Sequence, residues 1–129
     1  MKYGYTILYV DDVLKTVNFY EKAFGLQRRF VHESNAYAEM ETGHTCLAFA
    51  SKELANENNF NVGQFGEASA PAPFEIALVT DQVESAFNHA LLNGAVEVKK
   101  PVKKPWGQLV SYVKDCNGFF VEICSPINE

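Results

Sequence analysis

The apolar and polar positions of this chain follow an order that is written twice. Between Tyr3 and Val10 they alternate, with Tyr3, Tyr5, Ile7 and Tyr9 on one side and Thr6, Leu8 and Val10 on the other, the period of a strand with two unlike faces. The period then lengthens: Val13, Val17, Tyr20 and Phe24 recur at helical spacing, behind Asp11 or Asp12 as N-cap and ahead of Gly25 as stop. Strands are predicted over 26–33, 35–40 and 45–50, the last two joined by Thr42-Gly43-His44. Residues 51–73 break the pattern with an Asn-rich run, Gly63, Gly66 and an Ala-Pro-Ala-Pro close. They read as a connector holding one short helix over 52–57, with Phe60 and Phe65 needing apolar shelter.

The order then restarts. A strand is predicted over 74–79, and Asp81 with Glu84 forms a capping-box signature. The helix behind it faces inward through Val83, Ala86, Phe87, Ala90 and Leu91 and ends at Gly94. A strand over 96–99, a basic Pro-bearing turn over 99–105 and a Trp106-Gly107 loop lead into a final hairpin over 112–124. In its turn, Asp115-Cys116-Asn117-Gly118, the glycine supplies the positive φ that closes a three-residue loop with a bulge. The strand after it is apolar except for Glu122, which shares a face with Phe120 and Cys124. A carboxylate there must be paired, protonated, solvated or bound to a cation, because an unpartnered charge among apolar groups costs several kcal/mol.

At an offset of roughly 70, Leu8, Asp11, Val13 and Val17 fall on Leu78, Asp81, Val83 and Phe87. The fold expected is therefore α+β: one domain over 1–129, built from two tandem β-α-β-β-β modules (1–50 and 74–129) around the connector 51–73. Each sheet has a helix on one side only, so the two open sides are expected to form a curved, cleft-bearing mixed sheet. Leu8, Leu47, Phe49, Ile76, Leu78, Val121 and Ile123 would face the helices, all apolar. Tyr5, Ile7, Cys46, Ala48, Glu75, Ala77, Phe120 and Glu122 would face the cleft, a mixed set suited to a small molecule.

Composition narrows the partners. A formal net charge of -5 argues against nucleic acid and anionic membranes. No apolar run approaches the ~20 residues of a membrane span, and the N-terminal residues carry no signal-peptide core. Cys46, Cys116 and Cys124 are odd in number and show no paired spacing, so reduced thiols in a cytoplasmic protein are expected.

Three segments carry a family resemblance: Y-V-D-D-V-L-K-T-V-N-F-Y-E-K-A-F-G-L, F-E-I-A-L-V-T-D and V-K-D-C-N-G-F-F-V-E-I. With them the chain resembles the vicinal oxygen chelate superfamily, which includes glyoxalase I, fosfomycin-resistance thioltransferases, extradiol dioxygenases and bleomycin-resistance binding proteins. The family's metal ligands lie on the first and fourth strands of each half. The resemblance places those positions at Tyr5, Ala48, Glu75 and Glu122. Only the two glutamates suit a metal, Ala48 offers no donor, and His32, His44 and His89 fall elsewhere. The Pro105-Trp106-Gly107 segment is similar to that of the bleomycin-resistance binders, where an aromatic cleft at a dimer interface holds a drug without chemistry. The resemblance also implies a homodimer.

Tyr5, Glu75, Trp106, Tyr112, Phe120 and Glu122 are thus the candidate ligand-binding residues, with Tyr112 expected opposite Glu122 across the hairpin. Three roles stay open for Glu75 and Glu122. They can hold a cationic or aromatic ligand with no cofactor. They can hold Mg or Mn completed by water, as in a divalent-metal-dependent lyase, isomerase or transferase of the glyoxalase or fosfomycin-resistance type. They can also be structural, satisfied by the Tyr5 hydroxyl and a Lys or Arg. Trp106 can stack on a ligand or plug the end of the sheet. Glu39 and Glu41 read as solvated strand positions, and Lys99, Lys100, Lys103 and Lys104 as a soluble basic loop.

Overall fold

The computed structural model describes residues 1–59, 62, 63 and 71–127. They divide into two compact units, Met1–Gln64 and Phe65–Glu129. In the first, strand β1 (Tyr5–Val10) leads into helix α1 (Val13–Phe24), then β2 (Gln27–Val31), β3 (Tyr37–Glu41), β4 (Cys46–Ser51) and the short helix α2 (Lys52–Glu57). The second runs β5 (Glu75–Val79), helix α3 (Val83–Leu92), β6 (Val96–Lys103), β7 (Leu109–Lys114) and β8 (Phe120–Cys124). Each unit forms one four-stranded mixed sheet, ordered β1-β4-β3-β2 and β5-β8-β7-β6. The duplication therefore extends to topology: in each sheet the first strand runs parallel to the fourth.

Local chemistry sets most element ends where the residue pattern expects them. Asp12 caps α1 by accepting the Lys15 backbone N–H at 3.0 Å, and Asp11 instead pairs with Lys52 Nζ at 3.1 Å. Gly25 ends the helix at φ 71, a left-handed conformation that costs glycine least. Val13, Thr16, Val17, Tyr20 and Ala23 are buried, and the Tyr20 ring meets Phe49 of β4 at 4.9 Å. Phe24, expected to face inward, is half-buried and packs edge-on against Tyr20. In the second unit Val83, Phe87 and Ala90 are buried on α3, above Val121 and Ile123 of β8. Of the residues expected to face the helices, Leu8, Leu47, Phe49, Val121 and Ile123 are buried, while Ile76 and Leu78 are half-buried on the edge strand β5.

Two expectations need correction. Helix α3 has no capping box: its N-cap is Gln82, which makes no side-chain cap bond, and Thr80 Oγ1 accepts the Gln82 N–H at 3.1 Å instead. The basic turn expected over 99–105 is mostly strand, because β6 continues through Pro101 to Lys103. A proline is tolerated there because β6 is an edge strand, and its pairing with β7 is broken by two irregularities, between Glu97 and Lys99 and between Lys99 and Val102. Phe60 and Phe65 lie outside the described residues.

Candidate functional site

The β7–β8 hairpin has the predicted bulged turn. Asp115 N–H donates to Phe119 O at 2.9 Å, Gly118 N–H donates to Asp115 O at 3.1 Å, and Gly118 adopts φ 84. The buried Asp115 carboxylate accepts the N–H groups of Asn117 (2.8 Å) and Phe119 (2.9 Å), which secures the loop. That turn sets the register: Tyr112 lies opposite Glu122, and Lys114 opposite Phe120. On the other side of β8, Ala77 pairs with Glu122 and Glu75 with Phe120. The sheet face away from α3 thus carries successive rungs: Glu75–Phe120–Lys114, Ala77–Glu122–Tyr112 and Val79–Cys124–Val110.

Glu122 is the centre of this face. The Tyr112 hydroxyl donates to Glu122 Oε1 at 3.0 Å, and the Glu75 carboxyl interacts electrostatically with Glu122 from the neighbouring rung. As a residue Glu75 is exposed, yet its carboxyl titrates above the ordinary glutamate value. Loss of hydration is the main cause, followed by the neighbouring Glu122 carboxyl and its charge. Tyr112 is pushed up to about 12, first by burial and then by its bond to Glu122. The buried Cys124 thiol is likewise pushed up to about 12, by burial and by Glu122, so it is a poor nucleophile. Among the described residues no Lys or Arg forms an ion pair with Glu75 or Glu122. The structural role expects such a cation and the Tyr5 hydroxyl; the hydroxyl on Glu122 comes from Tyr112.

The first unit gives an internal comparison. On its sheet face away from α1, Glu39 of β3 pairs across the ladder with Ala48, the position matching Glu122. Glu39 is not solvated as expected: only 9% of it is exposed. The Tyr37 hydroxyl donates to Glu39 Oε2 at 2.7 Å, and Arg29 Nη1 donates to Oε1 at 3.2 Å. Arg29 also holds Glu41 through two bonds of 3.0 Å and keeps that carboxyl below its ordinary value. Here, then, is a carboxylate pair with its cation supplied. Sequence reasoning missed it because the contact depends on how β2 pairs with β3, and that register is irregular between Arg28 and Phe30.

The other candidates are placed as follows. Tyr5 is 55% exposed on β1 of the first unit, where its pairing with Cys46 repeats that of Glu75 with Phe120. Ala48 is buried. Trp106 lies between β6 and β7, is 62% exposed, and donates its indole N–H to Gln108 Oε1 at 2.9 Å. At that exposure it does not plug the sheet. No described hydrogen bond or ring contact ties it to Glu75, Tyr112 or Glu122. Phe120 is half-buried beneath the Lys114 ammonium, 5.9 Å from the ring centroid.

A family model for the Glyoxalase/Bleomycin resistance protein/Dioxygenase superfamily matches residues 2–123. The chain belongs to that superfamily. A relative within reach of sequence comparison, the uncharacterized protein YraH of Bacillus subtilis, is 25% identical over 117 residues, 90% of this chain and 91% of its own. Among solved structures, a glyoxalase-related enzyme from Fulvimarina pelagi superimposes with a TM-score of 0.82 at 18% identity, covering 98% of this chain and 88% of that one. A glyoxalase/bleomycin resistance protein/dioxygenase family enzyme from Burkholderia phytofirmans gives 0.77 at 22% identity, covering 95% and 96%. At such identities the likeness is one of fold. A metal of the superfamily's kind does not fit this donor set: Glu75 and Glu122 are two carboxylates alone. Among the described residues no three His, Cys, Asp or Glu side chains are grouped to hold an ion. No described helix is long and apolar enough to cross a membrane.

Proposed function

We propose that this glyoxalase-superfamily chain is a small-molecule-binding protein that takes a cationic, aromatic-bearing ligand on the open face of its second module. Glu75 and Glu122 accept the cation, while Tyr112 and Phe120 form the apolar floor and Trp106 the outlying ring. One observation carries the proposal. The carboxyl pair on this face forms no ion pair with a protein cation among the described residues, whereas the pair on the corresponding face of the first unit is bonded to Arg29. Two adjacent carboxyl groups repel, and, second to loss of hydration, the neighbouring Glu122 contributes to the rise at Glu75. A bound cation would relieve it. The divalent-metal reading draws no comparable support, because the ligand set is incomplete.

Titration calorimetry with phenethylamine tests the proposal. Glu122→Gln should weaken binding about tenfold or more while the far-ultraviolet dichroism stays unchanged. Equal affinity for the two proteins would overturn it. The superfamily resemblance also supports a homodimer, which light scattering on the purified chain decides.

A further inference from the structure

Glu75, Phe120 and Lys114 occupy one rung of the second sheet, on neighbouring strands in that order. At ~4.8 Å between strands, the backbone positions of Glu75 and Lys114 lie about 10 Å apart, with the Phe120 ring between them. Lys114 is half-buried, and its ammonium lies over that ring, 5.9 Å from the centroid. Among the described residues it makes no ion pair, although two carboxyl groups share its face. In the first unit, by contrast, Arg29 is fully engaged by Glu39 and Glu41. The second face therefore keeps opposite charges apart, on either side of an aromatic floor. A ligand bearing only a cation would leave the Lys114 charge without an acceptor.

We propose that Lys114 is a specificity residue that receives the anionic end of a zwitterionic ligand. The ammonium end of that ligand lies on Glu75 and Glu122, and its flat apolar body covers Phe120. This rests on the cation site proposed above and narrows its ligand class to amine–carboxylate compounds with the two groups separated by a ring-sized spacer. Lys114 suits the task because its ammonium is a point charge on a flexible stem, free to leave the ring for a carboxylate.

The test compares para-(aminoethyl)benzoate with its carboxamide, which has the same amine and ring but no negative charge. Affinities for the intact chain, Lys114→Met and Lys114→Arg are measured by calorimetry. The zwitterion should bind about threefold to tenfold more tightly than the carboxamide. That advantage should vanish in Lys114→Met, which keeps the apolar stem, and return in Lys114→Arg. Equal binding of the two compounds to the intact chain, or an advantage that survives Lys114→Met, overturns the role of Lys114 and leaves the cation site standing. Failure of both compounds to bind the intact chain overturns both.

Discussion

Glu39 and Glu122 lie on matching sheet faces, each accepting a tyrosine hydroxyl, yet neutralising them should have opposite consequences. In Glu39→Gln the bond from Tyr37, now 2.7 Å long, changes from charge-assisted to neutral. Hydrogen bonds to charged groups contribute about 1.5–3 kcal/mol and neutral ones about 0.5–1.5, so the loss is about 1 kcal/mol from this bond alone. Arg29 would in addition lose one of its two acceptors. For a chain of 129 residues that corresponds to a melting temperature lower by about 3–5 °C. In Glu122→Gln the bond from Tyr112 weakens by a similar amount, but the repulsion between Glu122 and Glu75 disappears as well. The two changes oppose each other, and the melting temperature should stay within about 2 °C of the parent or rise. Thermal melts of the parent and both variants near neutral pH, without ligand, make the comparison. If Glu122→Gln loses as much as Glu39→Gln, the carboxyl pair is a structural feature with its partners in place, and the contrast between the two faces is refuted.

Three further outcomes follow from the same geometry. Absorbance titration of the phenols should show Tyr112 ionising near 12 and falling only part of the way towards the ordinary value of about 10 in Glu122→Gln, because burial, the larger cause, remains; no change would mean the bond to Glu122 does not contribute. Glu75 titrates near about 4.3 in the unfolded chain and higher in the fold. Between those values the folded state binds more protons, so stability should fall as pH rises through that window and level off above the folded value. Glu75→Gln should flatten the slope, and a slope that persists would exclude Glu75 as its source. Finally, Gly118→Ala should lower stability by about 1 kcal/mol in a urea melt, because φ 84 disfavours a side chain even though an added Cβ would meet nothing within 4 Å. A neutral effect would show that the turn relaxes.

Much of this protein is legible from residue order because the deciding physics is local. Asp12 and Gly25 delimit α1 through bonds to backbone groups within a few residues, and helix α2 spans the expected 52–57. The Asp115–Gly118 turn places Tyr112 opposite Glu122, because a three-residue loop leaves one register. The twofold pattern likewise announces two sheets of one topology. The remainder depends on contacts between residues distant in sequence. Arg29 reaches Glu39 and Glu41 across a strand irregularity that no periodicity reveals. Residue order alone reads β6 as ending at Lys99, ahead of a turn containing Pro101, and only its place at the sheet edge allows it to continue. Lys114 over Phe120, and the absence of any described ion pair at Glu122, are outcomes of strand pairing. Residue types and spacing thus determine which groups share a face, whereas charge pairing acts across strands, and only the folded sheet determines which carboxylates are neutralised and which are left for a ligand.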